Sequence, residues 1–133
     1  MNFVLLHHGA CANVERAPAL LHYVINADGA VVTRLSESEQ GLHRAAIGIC
    51  VDGDFDVDVP TAQQISAIHG VLLDIKLRYP GMQLGAHRQV HGERCTCPGK
   101  RFPMRRLREW TEQGLLDARD AALEALIERQ YRP

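Results

Sequence analysis

Neither sign of charge is in excess. The 133 residues carry 15 Lys and Arg against 16 Asp and Glu, a net charge of −1 with histidine neutral, and the two signs are interspersed. The sequence offers no basic face for nucleic acid and no cationic patch for an anionic lipid surface, so neither nucleic acid nor membrane is an expected partner. One basic cluster, Lys100, Arg101, Arg105, Arg106 and Arg108, is of a kind that contacts an anionic polymer, but acids follow at once and a solvated helix start is an equally good reading. Long apolar runs are missing as well. The N-terminal run ends after Phe3-Val4-Leu5-Leu6, with no basic leader before it, which is too short for a signal peptide or a membrane span. A cytoplasmic protein is expected unless something else exports it. There is no internal repeat and no low-complexity linker. Cysteine occurs only at 11, 50, 95 and 97, and no pair has the Cys-x2-Cys spacing of a closed structural finger. The closest two are separated by one residue, a spacing that rarely closes on itself, so metal binding or free thiols are expected rather than a secreted disulfide framework.

The apolar content of 46% fits one compact domain with a real core, spanning residues 1–133. The densest chemistry lies between Gly85 and Phe102, GAHRQVHGERCTCPGKRF, where His87, His91, Cys95 and Cys97 fall within eleven residues. Imidazole with thiolate is a borderline-soft donor set that suits zinc better than magnesium or calcium. A further ligand must come from elsewhere, and His7 or His8 is the obvious donor. Three protein ligands with one open position make a hydrolytic zinc site.

Taken in order, Phe3–Leu6 reads as a buried central strand that delivers His7-His8-Gly9 to a sheet edge. The two histidines point to opposite faces, so at most one reaches a given site. Residues 10–20 read as loop. Leu21–Ile25 and Ala30–Leu35 read as a hairpin about Asp28-Gly29, Ser36–His43 as polar loop, and Ala45–Val51 as a second buried strand. The four acids of Asp52–Asp58 do not match a calcium loop and read as a solvated turn. Thr61–Tyr79 is the clearest helix, with Thr61 and Gln64 as a capping box and Ile65, Ile68, Leu72 and Ile75 on one face. Gln83–His87 reads as a last strand, and 104–131 as a C-terminal helical segment interrupted near Gly114. The fold class expected is α/β, one domain with a central mixed β-sheet of about five strands flanked by helices.

Four motifs in this order carry a family likeness: the strand into His-His-Gly-Ala, the hairpin HYVINADGAVV, the strand AIGICVDG followed by the Pro-Thr-Ala-Gln-Gln helix start, and GAHR…CPGKRF. Over about residues 3–102 the chain resembles the zinc-dependent N-acetylmuramoyl-L-alanine amidases, the family of amidase-type phage lysozymes and peptidoglycan recognition proteins. The resemblance implies hydrolysis of the amide between the lactyl group of N-acetylmuramic acid and L-alanine, in peptidoglycan or muropeptides. It implies Zn2+ held by His7, His87 and Cys97, with Cys95 and His8 as alternatives. His22 and His43 match positions on the substrate side. Without a signal peptide, such a protein would reach the wall by a holin-type route or act on recycled wall fragments in the cytoplasm.

Departures from the family pattern concern the proton relay. Leu21 stands where phage-type members have a tyrosine, and Cys50 where other branches have a glutamate. The lysine two before the third ligand is Cys95 here. The helix between first strand and hairpin is expected to be missing. Glu93 and His91 are the preferred catalytic candidates, with Glu15 and Tyr23 behind them. Arg94 is placed to stabilise an oxyanion but cannot serve as a general acid. A peptidoglycan-binding module that keeps the fold without the reaction is the alternative.

Overall fold

The protein is described from a computed structural model, which covers residues 3–90, 92 and 94–112. Two six-residue apolar strands form its centre, β1 (Phe3–His8) and β4 (Ala46–Val51). A strand buried on both faces has no polar alternation, and their near-continuous hydrophobic runs suit a parallel pair inside a layered sheet. Between them in sequence come a short helix α1 (Ala12–Arg16), a 3-10 turn (Pro18–Leu20), and the hairpin strands β2 (Tyr23–Ile25) and β3 (Val31–Thr33). After β4 follow α2 (Ala62–Arg78), β5 (Gln83–Ala86) and a 3-10 turn (His87–Gln89); residues 104–112 are helical.

The sheet order is β3-β2-β4-β1-β5. All neighbours are parallel except β2 and β3, which pair antiparallel. The expected mixed five-stranded α/β domain is what forms. The part of the C-terminal segment from 113 onwards lies outside the described residues.

Alternation along β1 sorts the two faces. Val4 and Leu6 enter the main core with Ile68, Leu72 and Ile75 of α2, and Leu5 and His7 therefore face the other way. The helix begins where its cap requires: Thr61 Oγ1 accepts from the Gln64 N–H at 3.1 Å, and Gln64 Oε1 accepts from the Thr61 N–H at 3.0 Å. Gln64 also donates to the Asp52 carbonyl at 2.8 Å, and Thr61 donates to the Ala27 carbonyl at 3.1 Å. The capping box thus fastens α2 to the end of β4 and to the hairpin turn.

Two sequence expectations need correction. Residues 10–20 are not all loop: α1 and the 3-10 turn occupy most of them. The helix expected to be missing before the hairpin is present in a short form, five residues with only Val14 buried. The acidic stretch after β4 is also more than a solvated turn. Asp56 accepts from Thr96 Oγ1 at 2.7 Å and from the Lys100 N–H at 2.8 Å, and these bonds, Thr96 first, hold its carboxyl below the usual range. With the Arg101 N–H donating to the Phe55 carbonyl at 2.7 Å, the 54–56 turn anchors the loop that carries Cys97.

Candidate metal centre

The parallel sheet brings two strand ends together. β1 and β5 run side by side with Leu6 opposite Ala86, so the residues that follow, His7 and His87, emerge at the same sheet edge. The loop after His87 folds back, and the Arg88 N–H donates to the Cys97 carbonyl at 2.9 Å. One nitrogen of each imidazole and the Cys97 sulfur then lie within 4.8 Å of one another, in the group His7, His87, Cys97. All three side chains are buried.

His7 tests whether this arrangement fits a cation. It is fully buried, and neither of its ring nitrogens has a hydrogen-bond partner among the described residues. A buried imidazole left without partners loses its hydration uncompensated. Burial, followed by the like-charge neighbours His87, His43 and His8, lowers its pKa to about 3. The ring is therefore neutral at any physiological pH, which is the form that coordinates a metal. Burial likewise pushes the Cys97 thiol up, against a smaller downward pull from the His8 N–H that donates to its sulfur at 3.4 Å. The donor chemistry, two imidazoles and a thiol, suits zinc.

The neighbouring histidine behaves differently. His8 turns to the opposite face, where its Nδ1 accepts from the Phe55 N–H at 3.1 Å. The structure thus groups His7, not His8, with His87 and Cys97.

The two histidines expected on the substrate side separate as well. His43 is half-buried and stands over the donor group, its ring centroid 5.6 Å from that of His7 and 4.9 Å from that of His87. It also lines a cavity of about 550 Å³ that runs along Leu5 and Leu84, with Arg44, Gln89 and Arg108 around it. His22 is fully buried instead. Its Nδ1 accepts from the Gly48 N–H at 3.0 Å, and its Nε2 lies 2.9 Å from the Glu39 carbonyl, to which it donates. Both nitrogens are occupied by backbone, and the ring acts as a strut under the loop that carries His43.

Of the catalytic candidates, His91 and Glu93 lie outside the described residues. Arg94 and Glu15 are exposed. Tyr23 occupies the α2 face of the sheet, packed against the main core with its phenol donating to Glu37; burial, and then that hydrogen bond, raises its pKa to about 12. It does not reach the donor group. Leu21 does lie beside that group: a Cβ on Gly48 would stand 3.1 Å from Leu21 Cδ2 and 3.7 Å from His7 Nε2. Cys50 is buried in the same cluster as Leu21 and Cys97, its thiol pushed up to about 12 chiefly by burial. Sequence reasoning overlooked Cys11, whose Sγ lies 3.4 Å from His87 Nδ1; its place at the exit of β1, four residues after His7, was the available signal.

Comparison with known proteins places the chain in a family. An endolysin of Enterobacteria phage K11 is 28% identical over 109 residues, covering 74% of this chain and 68% of the relative. An endolysin of Klebsiella phage KP32 is 27% identical over the same length. Among solved structures, the N-acetylmuramoyl-L-alanine amidase LysC from Clostridium intestinale URNW superposes with a TM-score of 0.68 at 22% identity, over 80% of this chain and 81% of that one. Drosophila PGRP-LB gives 0.66 at 20% identity, over 81% and 79%. These two share the fold. A family profile described as N-acetylmuramoyl-L-alanine amidase matches residues 1–100, three quarters of the sequence. The chain belongs to the N-acetylmuramoyl-L-alanine amidase family.

Proposed function

We propose that the protein is a zinc-dependent hydrolase of the amide between the lactyl group of N-acetylmuramic acid and L-alanine, acting on peptidoglycan or muropeptides. The observation that carries this is the pair of fully buried nitrogens of His7, without a hydrogen-bond partner among the described residues, beside His87 and Cys97. A fold that leaves both nitrogens of a neutral imidazole without hydrogen bonds, against a second imidazole and a thiol, is organised for a cation. His7, His87 and Cys97 would hold Zn2+, and zinc bound there supplies Lewis acidity that polarises an amide carbonyl and acidifies water.

The chain's own residues do the rest. His43, half-exposed above the donor group and continuous with the cavity along Leu5 and Leu84, holds the scissile amide and is placed to pass a proton. His22, by gripping the Gly48 and Glu39 backbone, keeps His43 in position. His91 and Glu93 stay as proposed relay residues, and Arg94 as a proposed oxyanion donor. The endolysin relatives support a role in wall lysis, with passage through a holin-type route. Among the described residues no helix is long and apolar enough to cross a membrane.

The test is mass spectrometry of a defined muropeptide incubated with zinc-loaded protein and with a chelated control. Free stem peptide, lost on chelation and restored by zinc, is the expected result. An intact substrate with zinc bound contradicts it. That outcome favours a peptidoglycan-binding module, the reading supported by the methyl and buried thiol that Leu21 and Cys50 present beside His7 and Cys97. A complex of a Drosophila PGRP-LB mutant with tracheal cytotoxin supports ligand binding by this fold.

A further inference from the structure

The two histidines that end β1 face opposite ways, and only His7 joins the donor group. His8 is nevertheless buried, its ring centroid 6.2 Å from that of Phe55. A buried imidazole outside the donor group needs an account of its own. Two contacts tie it to the loop that carries Cys97. Its backbone N–H donates to Cys97 Sγ at 3.4 Å, and its ring Nδ1 accepts from the Phe55 N–H at 3.1 Å. The first nitrogen belongs to the peptide that joins His7 to His8, so a sulfur held there stands beside the His7 side chain.

Phe55 is the floor of the same loop. A Cβ on Gly99 would stand 2.3 Å from the Phe55 carbonyl carbon, so the Cys97-Pro98-Gly99 turn rests directly on that backbone. The Phe55 carbonyl also accepts from the Arg101 N–H at 2.7 Å. Asp56, next along, takes Thr96 and Lys100 from either side of Cys97. The contacts close a circuit: from the His8 N–H to the sulfur, through the loop to Phe55, and back to the His8 ring. The Cys11 thiol, at the start of α1, is a second hydrogen-bond partner of the Cys97 sulfur; His8 reaches both the sulfur and the turn beneath the loop.

We propose that His8 is the positioning residue for Cys97. Its backbone sets the sulfur beside His7, and its ring, as acceptor for the Phe55 N–H, fixes the turn on which the loop lies. The His-His pair thus divides its work, the first imidazole joining the donor group and the second securing the delivery of the thiol. The assignment rests on the metal-site reading for its use, but the placement of Cys97 exists with or without metal.

Two measurements test it, on His8→Phe, which keeps a ring without the acceptor, and on His8→Asn, whose side-chain oxygen can replace Nδ1. Ile75→Val, which loosens the core under α2 away from the loop, controls for lost stability. In the chelated protein, alkylation by iodoacetamide mapped by tandem mass spectrometry should label Cys97 faster in His8→Phe than in the wild type, with His8→Asn and Ile75→Val close to the wild type. In the cobalt(II)-loaded protein, His8→Phe should lose sulfur-to-cobalt charge-transfer absorption, and its zinc affinity should fall about 10–100-fold. His8→Asn should recover both. Cys97 labelling in His8→Phe at the wild-type rate overturns the proposal. So does a His8→Asn protein no better than His8→Phe, or an Ile75→Val protein that matches His8→Phe. A wild type that takes up neither cobalt nor zinc would count against the proposed function instead, while the labelling rates still decide the role of His8.

Discussion

Replacing His7 by leucine should stabilise the metal-free protein while abolishing its metal site. His7 is fully buried, and both ring nitrogens lack partners among the described residues. Leaving a buried polar atom unsatisfied costs about 1–3 kcal/mol, and an apolar side chain of similar volume removes that cost. At about pH 7, the chelated His7→Leu variant should therefore unfold about 1–3 kcal/mol harder than the wild type, a rise of several degrees in Tm for a chain of this size. The pH dependence sharpens the prediction. The His7 pKa falls from 6.5 to about 3 in the folded state, chiefly through burial, so below 6.5 the unfolded chain binds a proton that the folded one refuses. Stability is lost as pH falls from that value towards about 3, and at about pH 4.5 the loss from this one residue is about 2–3 kcal/mol. Leucine has no such term, so the gap between the two proteins should widen by that amount on acidification. Excess zinc should invert the order, because a ligand present at about 100 times its Kd adds about 2.7 kcal/mol to the wild type alone. Urea unfolding of both proteins at the two pH values, with chelator and with zinc, measures all of this. A chelated His7→Leu protein less stable than the wild type, or a gap that does not move with pH, would refute the reasoning.

Other positions give independent checks. A Cβ on Gly99 would lie 2.3 Å from the Phe55 carbonyl carbon at a backbone φ of +116°, with no flexible side-chain end to yield. Gly99→Ala should cost about 3 kcal/mol or more and weaken zinc binding through Cys97, as chelator-competition and thermal melts would show. His22→Ala leaves the buried Gly48 N–H without its acceptor and should cost about 1–3 kcal/mol; because it frees the loop carrying His43, it should raise KM for muropeptide more than it lowers metal affinity. Asp56→Asn keeps the size of the side chain but weakens its hold on Thr96 and Lys100, and it should speed zinc release measured by stopped-flow chelation.

What could be read in advance followed the range of the interactions. β1, β4, the Asp28-Gly29 hairpin and the Thr61 capping box are written in runs and spacings a few residues long, and they form where those patterns put them. Helix α1 was unreadable because five residues with one buried side chain contain no helical period and are too short to nucleate alone. The anchoring by Asp56 and the contact of Cys11 with His87 join residues 40 or more apart in sequence, a distance over which local patterning carries no signal. His22 shows the limit of positional likeness. Its place in the motif was legible, but the engagement of both ring nitrogens by the Gly48 and Glu39 backbone depends on the parallel pairing of β2 with β4 and on a loop path no motif encodes.

In the proposed site His7, His87 and Cys97 hold one zinc ion and leave a coordination position open. X-ray absorption at the zinc edge of the loaded protein tests it most directly. The account predicts one zinc per chain with a single sulfur at about 2.3 Å and the remaining light-atom ligands at about 2.0–2.1 Å, the sulfur vanishing in Cys97→Ser. Two sulfurs at that distance would mean that Cys11 or Cys95 has closed the site, and a protein that binds no zinc would contradict the account outright.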